Sequence, residues 1–361
     1  MTPKSNITNI MELTKDQLVS WLKDHDIETY RAKQIMKWIY FRQADDFEIM
    51  TDIKKEIRQL LSLNFTIGRL EKKQIETSQD GSRKYLLELF DRQCIESVLI
   101  PEKNYYTLCI SSQVGCAQGC RFCLTARGGF VRNLAKGEIL AQVRDIMNDL
   151  DDPEKLKNIV MMGMGEPLAN YKNVVGAIGV ITDTKCGLGF SNNKVTLSTA
   201  GLVPKLPDLN QDANVNLAIS LNATDNKTRD MLMPINKKYP LEILLDACRK
   251  YRLHPRQSIM FEYILLKNIN DSSDDANRLA KLLRSIKAKI NLIPFNEYEG
   301  SEFRQPEEDV INNFREILRK NNYIVVTRRS KGRDISAACG QLRVRTAGKG
   351  QNKFLKRNII P

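Results

Sequence analysis

Gly115-Cys116-Ala117-Gln118-Gly119-Cys120-Arg121-Phe122-Cys123 places three cysteines at C-x3-C-x2-C spacing. Three thiolates can hold a cubane of four irons and leave one iron open. A ferredoxin-type cluster fills all four positions with cysteine and only moves electrons. An open iron can instead chelate the amino and carboxylate groups of S-adenosylmethionine, whose reductive cleavage yields a carbon radical. The aromatic Phe122 just before the third cysteine supports the cluster reading. A zinc site would need a fourth ligand, and the two histidines, His25 and His254, are far away in sequence.

Working outward, the pattern becomes strand and helix in turn. Strands are expected over 106–111, 158–162, 194–199, 215–221, 259–265, 290–295 and 323–327. Helices are expected over 139–150, 171–182, 240–252, 272–286 and 306–320. Repeated βα units imply a parallel sheet whose chemistry lies at the C-terminal strand ends. The motifs fall there: the cysteines follow the first of these strands, Gly163-Met164-Gly165-Glu166-Pro167 the second, and Ser198, Asn222 and Asn296 close later ones. The expected fold is α/β, a partial (β/α)6-type barrel.

Upstream, Thr14 and Gln17 form a candidate capping box before an amphipathic helix. A second helix over 30–40 puts Ile35, Trp38 and Ile39 on one side and Arg31, Lys33 and Lys37 on the other, suited to nucleic acid or to the protein's own body. From about Thr66 the period becomes two, with Asp80-Gly81 as a hairpin turn. The strand from Cys94 to Ile100 carries Glu96, an outward residue of a sheet edge or a base. The expected division is a helical accessory RNA-binding domain at 1–64, a β-hairpin linker at 65–101, the barrel at 102–340 and a basic tail at 341–361.

The chain has 361 residues, 42% hydrophobic, enough for an ordinary core. No run approaches the roughly 20 apolar residues that span a bilayer, and no signal-like segment opens it, so a cytoplasmic protein without membrane contact is expected. Lysine and arginine number 56 against 43 acidic residues, a formal net charge of +13, which points to a polyanionic partner. The excess is local: ten cations lie between Arg328 and Arg357 against the single acid Asp334. Of the eight cysteines, Cys94, Cys186 and Cys248 read as packing residues, and His25 and His254 as surface and loop residues.

Gly165 lets backbone approach a ligand, and Glu166 can accept from an ammonium group such as that of S-adenosylmethionine. Ser198, Ser220 and Asn296 can bind ribose hydroxyls, a carboxylate or adenine edges. An RNA-modifying enzyme is the leading reading. A colourless zinc-containing RNA-binding protein and a radical enzyme for a small molecule are the competitors.

The chain resembles the RlmN/Cfr family, radical S-adenosylmethionine enzymes that methylate adenine in RNA. The resemblance runs nearly end to end. It rests on 30–40, Ser111–Cys116, Gly129–Leu134, Gly163–Leu168, Met233–Tyr239 and Asp334–Leu342. The stretch from Phe122 to Phe130 and Gly165-Glu166-Pro167-Leu168 resemble the carbon-2 branch more than its carbon-8 sister, Cfr. One departure is Asn222, where the family more often has histidine after Ser220-Leu221.

The resemblance implies methylation of adenine carbon 2 in 23S rRNA and tRNA, with one [4Fe-4S] cluster on Cys116, Cys120 and Cys123. S-adenosylmethionine would be held by Gly165, Glu166, Ser198, Ser220, Leu221, Asn222 and Asn296. Cys339 would be methylated first, and a radical from a second S-adenosylmethionine would activate that methyl group. Cys109 would release the product by forming a disulfide with Cys339, and Glu96 would accept a proton. The resemblance also implies an electron donor such as flavodoxin, and a monomer.

Overall fold

The computed structural model describes residues 7–342, so all but the first two residues of the basic tail lie outside the described residues. The chain opens with β1 (Thr8–Asn9), α1 (Lys15–Lys23), α2 (Arg31–Met36), α3 (Lys55–Asn64) and β2 (Phe65–Thr66), which pairs in parallel with β1. Thr14 caps α1, and Gln17 closes the expected box by bonding back to the Thr14 amide. Beyond Met36, α2 continues as a π-helical turn over Lys37–Phe41. Its apolar side, Ile35 and Ile39, enters the core, whereas Lys33 and Lys37 stay in solvent.

β3 (Glu71–Thr77), β4 (Arg83–Glu88) and β5 (Cys94–Pro101) form an antiparallel meander. It is continuous with the main sheet, because β5 pairs with β6 (Tyr106–Cys109). A short antiparallel pair, β7 (Gln113–Gly115) and β8 (Phe130–Asn133), brackets the cysteine loop and α4 (Leu124–Arg127). The crossovers follow: α5 (Lys136–Met147), β9 (Leu156–Met161), α6 (Tyr171–Thr182), β10 (Val195–Thr199), α7 (Leu206–Asp212), β11 (Asn216–Ser220), α8 (Asn226–Leu232), α9 (Leu241–Lys250), β12 (Ile259–Leu265), α10 (Ser273–Leu283), β13 (Ala288–Pro294), α11 (Glu308–Lys320) and β14 (Ile324–Thr327).

The ten-stranded sheet runs β14-β13-β12-β11-β10-β9-β6-β5-β4-β3, and every pair from β6 to β14 is parallel. This is the expected (β/α)6 run plus its last strand, with the meander added along one side. Charges suit β3 to its edge position: Glu71, Lys72, Lys73 and Glu76 stand along an almost wholly exposed strand. β5 is interior, so the sheet-edge reading of Glu96 fails; its side chain is buried.

Sequence periodicity finds most of the long helices and most strands but places no helix at α3 and misses α4, α7, α8 and the β7–β8 bracket. All of these except the ten-residue α3 are too short for an apolar period to emerge. α5 is buried on nearly all sides, because the N-terminal unit covers the face that the sheet does not. Lys136 donates to the Leu13 carbonyl at 2.8 Å, Gly137 N to Glu12 at 2.7 Å, and Arg144 to the Ala44 carbonyl at 2.9 Å.

Candidate active site

A cavity opens at the C-terminal ends of the parallel strands. Cys116, Cys120 and Cys123 line it, together with Gly165, Glu166, Ser198, Ser220, Asn222 and Glu262 among others. The cysteine loop is shaped by its bracket. Gly115 has φ +75°, and a Cβ there would meet the Gly129 carbonyl at 2.0 Å, so only glycine lets β7 and β8 close this tightly. Cys116 N then donates to Gly129 O at 2.8 Å, and Arg121 N to Leu232 O at 3.0 Å.

The glycines of 163–165 serve the protein's own packing first. A Cβ on Gly163 would meet Ile110 O at 2.7 Å, and one on Gly165, at φ +103°, would meet Gln113 Cβ at 2.5 Å. Gln113 was not among the expected site residues, yet it ties the bracket to this turn. Its Oε1 accepts from Glu166 N at 2.8 Å, and its Nε2 donates to Asn133 Oδ1 at 2.7 Å.

Glu166 is buried, with Oε1 accepting from Leu168 N at 3.0 Å and Oε2 from Ala200 N at 2.7 Å. Burial pushes its carboxyl up, while hydrogen bonds from Ala200, Thr199 and Leu168 hold it down. A carboxylate has about four lone-pair positions, so acceptor capacity remains for a ligand ammonium.

Ser198 is already engaged, donating to Glu262 Oε2 at 2.7 Å. Glu262, in the middle of β12, is a second buried acid of the cavity that sequence reasoning missed. Its only signal was its position in an otherwise apolar strand, the same kind that singled out Glu96. Asn222 adopts φ +59°; its Oδ1 accepts from Ile264 N at 2.9 Å and its Nδ2 faces Met233 Sδ at 3.3 Å. Leu221 and Asn296 are not on the cavity wall. The Leu221 carbonyl accepts from Arg229 Nε at 3.0 Å, and Asn296 Nδ2 donates to Ser330 Oγ at 2.9 Å and Cys339 O at 3.4 Å.

Arg229 is a further residue that periodicity could not find. Fully buried, it also donates to the Ala200 carbonyl, the Ser220 carbonyl and Asn236 Oδ1, joining the ends of β10 and β11. Desolvation lowers its guanidinium to about 10.

Cys109 and Cys339 are brought together from opposite ends of the barrel. Both line a second, smaller cavity with Val98, Ile100, Val160, Met162 and Arg328, and Cys339 also lines the large one. Both are free thiols. Burial pushes Cys109 up to about 12 and raises Cys339, with Arg328 opposing both shifts and Glu262 reinforcing them. Glu96 lies on the same sheet face as Cys109: Val98 is the register partner of Cys109, and Glu96 is two residues from Val98.

His25 is exposed, with Nδ1 2.8 Å from the Trp21 carbonyl, and His254 is an exposed loop residue. Cys186 and Cys248 are buried, while Cys94 is half-buried on β5. Among the described residues no group of three or more His, Cys, Asp or Glu is gathered closely enough to hold one metal ion. The three loop thiols all line the same cavity.

A parallel βα sheet with three cysteines and a buried acid at its mouth defines a radical S-adenosylmethionine enzyme. The model described as the radical SAM superfamily matches residues 110–280, and that described as the ribosomal RNA large subunit methyltransferase N-terminal domain matches residues 8–67. The dual-specificity RNA methyltransferase RlmN of Desulfosudis oleivorans is 57% identical over 344 residues, covering 95% of this chain and 93% of its own. That of Geobacter sulfurreducens is 50% identical, covering 93% and 92%. A radical SAM methyltransferase from Sphaerobacter thermophilus has a crystal structure that matches with a TM-score of 0.87 at 38% identity, covering 93% of this chain and 99% of that one. The chain belongs to the RlmN family of radical S-adenosylmethionine methyltransferases. The family implies S-adenosylmethionine and a [4Fe-4S] cluster, and the cavity's donor set fits both.

Proposed function

We propose that the protein methylates carbon 2 of adenine in 23S rRNA and in tRNA through an S-methylated Cys339, using two S-adenosylmethionine molecules per turnover. The observation that carries this reading is the pair Cys109 and Cys339, two free thiols 230 residues apart in sequence that share one cavity beside the three-cysteine wall. Carbon 2 of adenine is an electron-poor amidine carbon with no lone pair for a sulfonium methyl, so direct polar transfer fails there. A protein-held sulfur answers that difficulty.

Cys116, Cys120 and Cys123 would hold the cluster. Glu166 would accept from the amino group of S-adenosylmethionine, with Gly165, Ser198, Ser220 and Asn222 around it and with Leu221 and Asn296 bracing from behind. The bound groups supply the methyl and the one-electron cleavage that activates it. Cys339 loses its thiol proton and accepts the methyl on sulfur. After the activated carbon has joined the base, the adduct would return its unpaired electron to the one-electron donor that began the cleavage, and Glu96 accepts the carbon-2 proton. The Cys109 thiolate then attacks Cys339 Sγ, and the carbon–sulfur bond breaks with its electron pair left on the product carbon, which takes up a proton to become the methyl group. The resulting disulfide is reduced by an external thiol before the next turnover.

Residues 1–64 are read as an RNA-binding accessory unit, 65–101 as a linker, 102–340 as the catalytic barrel and 341–361 as a basic tail. The net charge of +13 supports RNA as the partner. An electron donor such as flavodoxin, a monomeric state and a cytoplasmic location complete the proposal. No helix among the described residues is long and apolar enough to cross a membrane.

The test is anaerobic turnover of reconstituted protein with trideuteromethyl S-adenosylmethionine and each RNA, read by nucleoside mass spectrometry. The expected product is 2-methyladenosine carrying two deuteriums, because one is removed from the sulfur-bound methyl. An 8-methyladenosine would move the chain to the carbon-8 sister branch. Retention of all three deuteriums would overturn the sulfur-bound route.

A further inference from the structure

The β3–β4 hairpin has no part in the chemistry assigned so far, yet the segment that carries Cys339 lies against it. Gly332 N donates to Asp80 Oδ2 at 2.7 Å. Asp334 accepts from Ser78 Oγ at 2.6 Å and from Gln79 N at 3.1 Å. The other end of the segment is fixed to the cysteine loop, where Leu124 N donates to Gly340 O at 2.7 Å and Thr125 Oγ1 to Leu342 O at 2.7 Å.

One contact differs in kind. Lys84 Nζ donates to the Ile335 carbonyl at 2.6 Å, although its side chain is only 9% exposed. A buried ammonium needs opposite charge and hydrogen-bond acceptors to stay ionised. The sheet register supplies them. Glu76 on β3 is opposite Lys84, and Glu96 on β5 is opposite Leu86, so Lys84 and Glu96 are diagonal neighbours on one face. Lys84 Nζ is 3.2 Å from Glu76 Oε2 and 3.7 Å from Glu96 Oε1. Val98, opposite Lys84 on one side and Cys109 on the other, puts that cysteine on the same face.

We propose that Lys84 is a positioning residue of the reaction: its ammonium joins the Glu96 carboxylate to the Ile335 carbonyl, registering the Cys339 segment over the face that carries Glu96 and Cys109. The inference rests on the roles of Glu96 and Cys339 proposed above. An ammonium has three donors. Here two carboxylates and one carbonyl are arranged around it, so proton acceptor and methyl carrier share a single anchor. Cys339 lies between the Ile335 carbonyl, held by Lys84, and the Gly340 carbonyl, held by Leu124 N, so its sulfur is carried on a short span pinned at both ends.

The test compares Lys84→Met and Lys84→Arg in the reconstituted full-length holoenzyme. Hydrogen exchange is read at residues 332–338, where Gly332 and Ala337 amides are bonded, and turnover is read on RNA. Lys84→Met is expected to speed exchange at least tenfold and lower kcat at least tenfold with the KM for RNA unchanged; Lys84→Arg restores both to within about threefold. Unchanged exchange in Lys84→Met overturns the anchoring. Faster exchange with unaltered kcat overturns the positioning role. Should Lys84→Met not fold, the neutral Lys84→Gln is read in the same two ways. Glu96→Gln run alongside separates the failures: full turnover in that variant removes the proton-acceptor reading, and the exchange result alone then decides the anchoring.

Discussion

Cys339 belongs to the walls of two cavities at once, the large one with the cysteine loop and the small one with Cys109. That double position separates two predictions. Cys339→Ala is expected to abolish methylation while iron and sulfide content match the parent, because none of the three loop cysteines is touched. Methylated RNA from that variant would remove the carrier role. Cys109→Ala is expected to accumulate a covalent protein–RNA species, visible as a nuclease-sensitive shift on a denaturing gel. A variant free of RNA at normal turnover would remove the release role. Gly165 shows why one small residue is required here. Gly165→Ala adds a Cβ 2.5 Å from Gln113 Cβ at φ +103°, a conformation that strains a side chain by about 1–3 kcal/mol before the clash is counted. Its thermal midpoint should fall by several degrees.

At the scale of elements, α5 decides how the N-terminal unit meets the barrel. Its period alone predicts one buried face, yet the second face is covered too, and the contacts are close. A Cβ on Gly137 would meet Glu12 Oε1 at 2.5 Å and Asn9 Nδ2 at 2.6 Å. Asn9 Oδ1 in turn accepts from Met11 N and Gly68 N, both at 3.1 Å. Gly137→Ala should therefore loosen the N-terminal unit at a cost of about 1–3 kcal/mol, the usual range for overpacking. The expected reading is earlier proteolytic cleavage within residues 7–67, with the barrel's own melting little changed. A cleavage pattern like the parent's would show that the two units adjust without separating.

For the whole molecule, buried thiols and phenols set the alkaline limit. Burial pushes Cys109 and Cys248 up to about 12 and Tyr85 up to about 12. Below pH 9 the folded and unfolded chains hold the same protons at these sites, and their stabilising effect is fully present. Between pH 9 and 12 the unfolded thiols ionise while the folded ones do not, so stability falls by about 1.4 kcal/mol per pH unit for each such group. The unfolded chain binds fewer protons there, which makes the slope negative. Chemical denaturation of the protein at pH 7, 8 and 10.5 should show a midpoint flat over the first interval and dropping over the second. A flat midpoint throughout would mean that these sites are not sealed from water.

Across the same molecule, the sequence alone determined what local spacing encodes. The C-x3-C-x2-C loop, the glutamate turn at 163–167 and the alternation of apolar strand and amphipathic helix are short-range patterns, and they led to the radical S-adenosylmethionine barrel with its site at the strand ends. Only the tertiary structure decided what depends on register and crossover. It put Ser198 against Glu262, ran Arg229 between β10 and β11, moved Glu96 from an edge to the interior and set Lys84 between Glu96 and the Ile335 carbonyl. These pairs lie between 8 and 251 residues apart or turn on which strand is neighbour to which. No periodicity carries that information, because a side chain's partner across a sheet is fixed by pairing order and not by its own neighbours in the chain.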